Sequence, residues 1–288
     1  MNISLSELSE VKGIGKKTIQ RIREHKLADE GYTSEYDESL HLERNSVNKG
    51  DCLELMNGIP DKSVDMILAD LPYGTTACSW DSIIPLDKLW LQYERIIKDN
   101  GAIVLTASQP FTTKLINSNI DLYRYNLVWD KDKAFGVFQA KIMPLKKHED
   151  ICIFYKNKPT YNPQMKKADP ERIRPLSNGN KNGAKNNITN SSNCKTADDY
   201  DPSLRYPDSI LKFSRPVGRF VHPTQKPVAL FEYLIKTYTN KGDLVLDNVA
   251  GSGTTGVACQ NTNRDYILIE KEQKYIDVIK ERLRGGVI

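Results

Sequence analysis

Two short motifs in this 288-residue chain combine residue types that could do chemistry. The first is Asp70-Leu71-Pro72-Tyr73, which follows an apolar run at residues 64–69. The Asp70 carboxylate and the Leu71 backbone carbonyl are acceptors that can bind both N–H groups of an amine conjugated to an aromatic ring. Such an amine is a poor nucleophile, and two acceptors draw its nitrogen toward sp³ geometry and take up its surplus proton. Pro72 stiffens the turn, and the Tyr73 ring offers a stacking surface.

The second motif is a glycine-rich turn, Asp247-Asn248-Val249-Ala250-Gly251-Ser252-Gly253-Thr254, which follows the apolar residues 244–246. Glycines in such a turn let the backbone bend sharply and let a cofactor approach closely. Glu270 follows Gly251 by 19 positions, a spacing suited to binding ribose hydroxyls. Residues 251–256 also satisfy the GxGxxG pattern of nicotinamide-dependent dehydrogenases. The phosphate-binding loop of NTPases is excluded, because no Lys-Ser/Thr follows.

The glycine-rich turn lies near the end of the sequence, and residues 247–288 leave room for only one further strand and helix. A cofactor site at the switch point of a parallel sheet needs strands on both sides. The other strands must therefore precede the turn, which predicts a circularly permuted sheet. The Asp70 motif also follows a strand, so we expect it at the same carboxyl edge of the sheet.

Strand-like and helix-like stretches alternate from residue 46 onward, which predicts an α/β fold with a doubly wound, mostly parallel sheet. Short apolar runs predict strands at residues 64–69, 102–106, 126–129, 151–155, 244–246 and 266–269. Apolar residues at helical spacing predict helices around residues 89–97, 230–238 and 276–283.

The composition argues against membrane, secreted and metal-dependent proteins. No run of 18 apolar residues occurs and the first residues lack a secretory signal pattern, so we expect no membrane association and a cytoplasmic location. The five cysteines and four histidines are scattered without metal-ligand spacing, so we expect no metal.

Positive charge is concentrated in two segments, although the net charge is only +4. Residues 11–26 hold six Lys/Arg against one acidic residue, and residues 157–226 hold thirteen against six. Two basic regions either bind a polyanion at two points or are solvated faces, and charge alone leaves both interpretations open.

Residues 1–28 are expected to form a small α-hairpin, because apolar residues at helical spacing flank the turn Gly13-Ile14-Gly15. This turn resembles the helix-hairpin-helix motif, which implies contacts with the DNA backbone by Lys12, Gly13, Gly15, Lys16 and Lys17. A hairpin that serves packing alone is the alternative. The polar residues 29–45 are expected to be a linker.

The two motifs together resemble the DNA amino-methyltransferases that act on adenine N6 or cytosine N4, in the β-type order with the catalytic motif first. The segment His222-Pro223-Thr224-Gln225-Lys226-Pro227 resembles a further cofactor motif of this family. Asp51 matches the family's acidic position near the cofactor adenine. Leu71 departs from the family pattern, which usually has proline there, but it keeps the backbone carbonyl.

The resemblance implies a Rossmann-like methyltransferase fold with seven strands, helices on both faces and S-adenosyl-L-methionine as cofactor. The expected catalytic residues are Asp70, Leu71, Pro72 and Tyr73. The residues expected to bind the cofactor are Asp51, His222, Thr224, Gln225, Lys226, Asp247, Asn248, Ala250, Gly251, Ser252, Gly253, Thr254 and Glu270.

The resemblance also divides the chain beyond the linker. Residues 46–156 would form the catalytic part, residues 222–288 the cofactor-binding part, and residues 157–221 a target-recognition insertion. The insertion is the most basic part of the chain. Its arginines expected to contact DNA are Arg172, Arg174, Arg205, Arg215 and Arg219.

The implied activity is methyl transfer to the exocyclic amine of a base flipped out of double-stranded DNA, by direct displacement. Adenine is favoured over cytosine, because the family's cytosine enzymes usually begin the catalytic motif with serine. Cytosine-N4 methylation, methylation of an RNA or protein amine, and a catalytically silent DNA-binding protein are the alternatives. We expect a monomer or homodimer, and the sequence leaves open whether a cognate restriction nuclease is a partner.

Overall fold

A computed structural model describes Thr18, Ile22, Tyr32 and residues 34–74, 82–137, 140–170, 201, 203–215 and 225–285. The chain forms two compact units, Met1–Asn162 with Ser209–Ile288 and, separately, Pro163–Asp208. Apart from Thr18 and Ile22, the expected N-terminal hairpin lies outside the described residues. Within them, none of the helices is both long and apolar enough to cross a membrane.

The described residues contain ten strands and six α-helices. The strands are β1 (Ser46–Lys49), β2 (Val64–Ala69), β3 (Ile97–Ala107), β4 (Tyr123–Phe135), β5 (Lys146–Phe154), β6 (Lys166–Lys167), β7 (Leu204–Arg205), β8 (Ile210–Lys212), β9 (Leu244–Asp247) and β10 (Asp265–Glu270). The helices are α1 (Cys52–Leu55), α2 (Leu86–Ile96), α3 (Phe111–Ser118), α4 (Val228–Tyr238), α5 (Thr254–Thr262) and α6 (Gln273–Leu283).

The larger unit is built around one sheet with the strand order β1-β10-β9-β2-β3-β5-β4-β8. Neighbouring strands run parallel, except that β5 pairs antiparallel with both β3 and β4. Strand β2 lies directly beside β9, with Met66 opposite Val245 and Ile67 opposite Leu246. The predicted Rossmann-like, mostly parallel and permuted sheet is therefore confirmed. Because β2 and β9 are parallel, the motifs that follow them emerge at the same edge.

The sheet has eight strands in the part of the chain that the structure describes, one more than the family resemblance implied. The short β8 adds an edge by pairing parallel with β4, from Val128 opposite Ile210 to Asp130 opposite Lys212. Only its central residue, Leu211, is buried, so its apolar pattern is too short to indicate a strand. Strand β8 also lies inside the segment predicted as the insertion. The smaller unit contains the two-stranded pairing of β6 with β7.

Both faces of the sheet are covered, as the α/β prediction requires. Along β2, Ile67 and Ala69 pack into one core cluster, whereas Met66 and Leu68 pack into the other. Helices α2 and α3 cover the first face, and helices α4, α5 and α6 cover the second. Strand β2 is thus apolar on both sides, the pattern expected of a central parallel strand.

Gly253 serves the fold in a way that the sequence did not indicate. We expected its missing side chain to leave room for a cofactor. The residue precedes α5 with a φ of 76°, and a Cβ built on it would lie 2.9 Å from Cγ1 of Ile279 on α6. Its absent side chain therefore allows α6 to approach the turn, in addition to permitting the left-handed backbone.

A pair of glycine substitutions separates these two contributions. Gly242 also has a left-handed φ, 82°, but a Cβ there would meet no atom within 4 Å. We expect Gly242→Ala to lower the free energy of unfolding by about 1 kcal/mol through backbone strain alone. Gly253→Ala should cost about 1–3 kcal/mol more through overpacking. That extra loss should be smaller when Gly253→Ala is made in an Ile279→Ala background than in the parent, which a double-mutant cycle measures. Equal losses in urea denaturation of the two single variants would contradict the assignment.

Candidate active site

A cavity of ≈ 510 Å³ lies at the carboxyl ends of β2 and β9. All four residues of the catalytic motif line it, together with most of those expected at the cofactor: Asp51, Gln225, Lys226, Asp247, Asn248, Ala250, Gly251, Ser252, Thr254 and Glu270. Gly253 is not in this lining, and His222 and Thr224 lie outside the described residues. The fold thus brings two distant motifs into one concave site of a size suited to a small-molecule ligand.

The carboxylate of Asp70 is held by three donors. Its Oδ1 accepts hydrogen bonds from the Tyr73 hydroxyl at 2.8 Å and from the Thr106 hydroxyl. Its Oδ2 lies 2.5 Å from Nζ of Lys226. Thr106 reaches this position because β3 runs parallel beside β2. The orientation of Asp70 is therefore determined by its neighbours before any substrate binds.

The Tyr73 ring already packs against another aromatic ring. It stacks against Phe111 with a centroid distance of 5.3 Å and an interplanar angle of 25°. Burial, with the nearby charges of Asp70 and Glu149, raises the pKa of Tyr73 well above its ordinary value, so the hydroxyl stays protonated and donates to Asp70. In this arrangement Tyr73 orients the carboxylate, and Phe111 covers one face of the ring on which the sequence argument placed a substrate.

Lys226 belongs to a chain of four alternating charges. Its Nζ lies 3.4 Å from Oε2 of Glu149, and Oε1 of Glu149 lies 2.5 Å from Nζ of Lys131. The side chains of Lys226, Glu149 and Lys131 are only 6%, 13% and 11% exposed. The order Lys131, Glu149, Lys226, Asp70 places each charge beside one of opposite sign, which offsets the cost of removing the charges from water.

The electrostatics of this chain favour the ionised forms at its centre. Burial lowers the pKa of Lys226, but Asp70 and Glu149 outweigh it, so the net pKa is raised. Burial raises the pKa of Glu149, but Lys226 and Lys131 outweigh it, so the net pKa is lowered. Both groups are therefore charged near neutral pH.

Sequence reasoning missed most of this arrangement. Lys226 was predicted as a cofactor contact, whereas its ammonium group contacts the carboxylate of Asp70. Thr106 and Glu149 were not predicted as site residues. Thr106 could have been found as the polar residue at the end of an apolar strand. Glu149 could not, because its position depends on β5 running antiparallel, which brings the start of that strand to the edge where the parallel strands end.

The cofactor side of the cavity contains a buried carboxylate and an unpaired amide donor. Asp247 accepts hydrogen bonds from the backbone N–H of Val249 at 3.1 Å and from the Thr255 hydroxyl. Burial raises the pKa of Asp247 to about 7. Asn248 accepts from the Tyr93 hydroxyl at 2.6 Å, while its buried Nδ2 has no hydrogen-bond partner in the described part of the chain. Such groups suit a ligand that brings an acceptor and positive charge.

Glu270 secures the glycine-rich turn. Its Oε2 accepts from the backbone N–H of Gly251 at 2.8 Å, and its Oε1 accepts from that of Glu272, also at 2.8 Å. Each oxygen keeps capacity for a second donor, such as a ribose hydroxyl. Asp51 caps the short helix α1 by accepting from the Leu53 N–H at 2.9 Å. These contacts fit a nucleoside-containing cofactor lying across the ends of β9 and β10.

Aromatic rings and cations also line the cavity. Trp129 is almost fully buried and donates from Nε1 to the Phe213 carbonyl at 2.8 Å, so it is a core residue that also lines the cavity. Phe135 lies near two cations, with the Arg215 guanidinium 4.6 Å and the Lys131 ammonium 5.7 Å from its ring centroid. This part of the lining combines stacking surface with positive charge.

The residues predicted to contact DNA are distributed unevenly. Arg215 lines the cavity, and Arg205 lies in β7 of the smaller unit, where its Nη1 donates to the Leu204 carbonyl at 2.8 Å. The others, Lys12, Gly13, Gly15, Lys16, Lys17, Arg172, Arg174 and Arg219, lie outside the described residues.

Two curated relatives are similar along most of the chain. Type II methyltransferase M.HinfI of Haemophilus influenzae is 29% identical over 270 residues, which cover 83% of this chain and 68% of that protein. Type II methyltransferase M.HpaI of Haemophilus parainfluenzae is 27% identical over 246 residues, which cover 80% of this chain and 71% of that protein.

Solved structures share the fold at low sequence identity. The M1.HpyAVI–SAM complex has a TM-score of 0.56 at 23% identity, covering 83% of this chain and 98% of that one. The cytosine-N4-specific PvuII DNA methyltransferase has a TM-score of 0.55 at 16% identity, covering 85% and 95%. A family model described as DNA methylase matches residues 64–281, which include both motifs and the cavity between them. This chain therefore belongs to the N6/N4 family of DNA methylases.

Proposed function

We propose that this chain methylates the N6 amine of adenine in double-stranded DNA, with S-adenosyl-L-methionine as methyl donor and the target base flipped out of the helix into the cavity. The observation that carries the proposal is the position of Asp70, an oriented carboxylate in the same cavity as the glycine-rich turn. Membership of the DNA methylase family supports DNA as the substrate.

The contacts of Asp70 indicate which oxygen serves the substrate. A carboxylate oxygen can accept about two hydrogen bonds. Oδ1 already accepts from Tyr73 and Thr106, whereas among the described residues Oδ2 receives only Lys226. Oδ2 is therefore the oxygen with capacity for an N–H of the target amine. The backbone carbonyl of Leu71 is the acceptor for the second N–H.

The protein's share of the chemistry is to bind the amine, fix its direction and remove its surplus proton. S-adenosylmethionine, when bound, supplies a methyl group on a positively charged sulfur. Asp70 holds the nitrogen so that its lone pair faces the cofactor side of the cavity. Oδ2 then accepts the surplus proton and passes it to water.

We assign the residues that line the cavity to two groups, one for the cofactor and one for the target base. On the cofactor side, Nδ2 of Asn248 would donate to an acceptor of the bound cofactor, the Asp247 carboxylate would offset its positive charge, and Glu270 would bind its ribose hydroxyls. On the base side, Phe135 supplies stacking surface for the flipped base, and Arg215 supplies positive charge.

Nucleoside analysis distinguishes this proposal from its rivals. The protein is incubated with S-adenosylmethionine and duplex DNA, and the digested nucleosides are identified by mass spectrometry. We expect N6-methyladenine. N4-methylcytosine would contradict the choice of base, and transfer only to RNA or protein would contradict the choice of substrate.

The first prediction concerns Asp70. Asp70→Asn keeps the shape of the side chain but replaces an oxygen with an amide group that cannot accept the amine's proton. We expect kcat to fall by at least about 100-fold, the scale for removing one positioned group. Affinity for S-adenosylmethionine in calorimetry should change less than about threefold, because Asp70 acts on the amine. Near-normal turnover would rule out the mechanism.

The second prediction concerns Lys226, which orients Asp70. Lys226→Met leaves the carboxylates of Asp70 and Glu149 without the cation between them, so we expect a loss of about 3–5 kcal/mol of unfolding free energy at pH 8. The lowered pKa of Glu149 stabilises the parent above the ordinary glutamate pKa, and the variant lacks that contribution. The deficit at pH 8 should therefore shrink at about pH 3.5, below the ordinary glutamate pKa of 4.5, because the parent loses this contribution there.

The matched control for this variant is Lys236→Met. Lys236 is 44% exposed and pairs with Glu232 at 3.8 Å, so its loss should cost less than about 1 kcal/mol at either pH. Urea denaturation at both pH values provides the comparison. A Lys226→Met deficit that equals the control or does not change with pH would contradict the role of the buried charge chain.

The third prediction follows from the pKa of about 7 at Asp247. A cationic cofactor favours the ionised carboxylate, so binding releases a proton from the fraction of Asp247 that is protonated. Affinity for S-adenosylmethionine should therefore fall below pH 7, by up to about tenfold per pH unit. Calorimetry between pH 5.5 and 8.5 measures this slope. Asp247→Asn should bind more weakly at pH 8.5 and lose the slope, and an unchanged slope in that variant would refute the assignment.

A further inference from the structure

The loop between β4 and β5, residues 136–145, exposes a cluster of large apolar side chains. Val137 is 73% exposed, Ile142 80%, Met143 52% and Leu145 40%. Large apolar side chains stabilise a fold when they are buried and contribute little in solvent. Four of them exposed within nine residues of one loop indicate a binding surface.

The loop is a continuation of the active-site wall. Strands β4 and β5 form an antiparallel pair whose last matched residues are Phe135 and Lys146. Trp129, Lys131 and Phe135 on β4 line the cavity, as does Glu149 on β5. The loop therefore begins directly after Phe135, the last cavity-lining residue of β4. Whatever the loop binds lies close to the substrate that enters the cavity.

The charge around the loop indicates the partner. Residues 132–148 contain four lysines and a single acidic residue, Asp132. The four lysines, Lys133, Lys141, Lys146 and Lys147, are all exposed. Protein–protein interfaces are depleted in lysine relative to the rest of the surface. Duplex DNA instead presents apolar base stacks between two rows of phosphates.

We propose that Ile142 and Met143, in the turn of the loop, insert into the DNA base stack and fill the gap left by the flipped target base. This inference rests on the proposed function. Extruding a base costs stacking and pairing energy. Apolar wedges such as Ile and Met offset that cost by occupying the vacated space, while flanking lysines bind the backbone phosphates.

The test compares DNA that resists flipping with DNA that does not. The methylated site is first identified by methylome sequencing of cells that express the protein. Two duplexes are then made with that site, one fully paired and one with an abasic position opposite the target base. Copies with 2-aminopurine at the target report flipping by fluorescence. The test variant is Ile142→Ser with Met143→Ser, and the control is Ile120→Ser, which removes a 57% exposed side chain outside the loop.

We expect the double variant to lose the 2-aminopurine signal and about tenfold or more in kcat/KM on the paired duplex, since the cost of flipping the base is no longer offset. On the abasic duplex it should match the parent within about twofold, because less pairing has to be broken. The control should match the parent on both. If the double variant loses the same factor in kcat/KM on both duplexes, or loses none on the paired duplex, the proposed insertion of Ile142 and Met143 is wrong. A parent that methylates no DNA overturns the proposed function and the wedge with it.

Discussion

The ion pair between Lys226 and Asp70 is the contact on which the active site depends. The Asp70 side chain is only 22% exposed, so its carboxylate needs a partner, and Lys226 supplies one at 2.5 Å. Lys226 in turn needs a second anion, which is Glu149, and Glu149 is balanced by Lys131. These four residues come from four separate segments of the chain. Removing any one leaves a buried charge uncompensated, so the site is assembled as a unit.

The order of the sheet makes that assembly possible. Strands β2 and β9 are far apart in sequence but adjacent and parallel, so Asp70 and the glycine-rich turn emerge at the same edge. Strand β5 runs antiparallel to β3, so the first half of β5, which contains Glu149, lies at the edge where the parallel strands end. Lys226, two residues before α4, then completes the ion pair with Asp70. Side chains from separate strands thus meet at one edge of the sheet.

The sequence predicted the parts of this arrangement that leave local patterns. Apolar runs followed by polar motifs identified β2 and β9, and the motif order predicted the permutation. Strand β8 left only Leu211 as a signal. Glu149 acts through the antiparallel placement of β5, which no spacing along the chain reveals, whereas Thr106 left a signal as the polar residue at the end of an apolar strand. Glycine is required at position 253 for two reasons, the left-handed backbone and the close approach of Ile279. The sequence alone could not distinguish these two reasons from a need for space around a cofactor.

The central claim is that Asp70 binds the target amine through Oδ2 while Tyr73 and Thr106 occupy Oδ1. A crystal structure of the protein with S-adenosylhomocysteine and a duplex containing its methylated site tests this most directly. The account predicts the adenine N6 atom within hydrogen-bonding distance of Asp70 Oδ2, about 2.6–3.2 Å, with the Lys226 and Glu149 contacts retained. A target base that remains stacked in the duplex, or an amine bound away from Asp70, would contradict it.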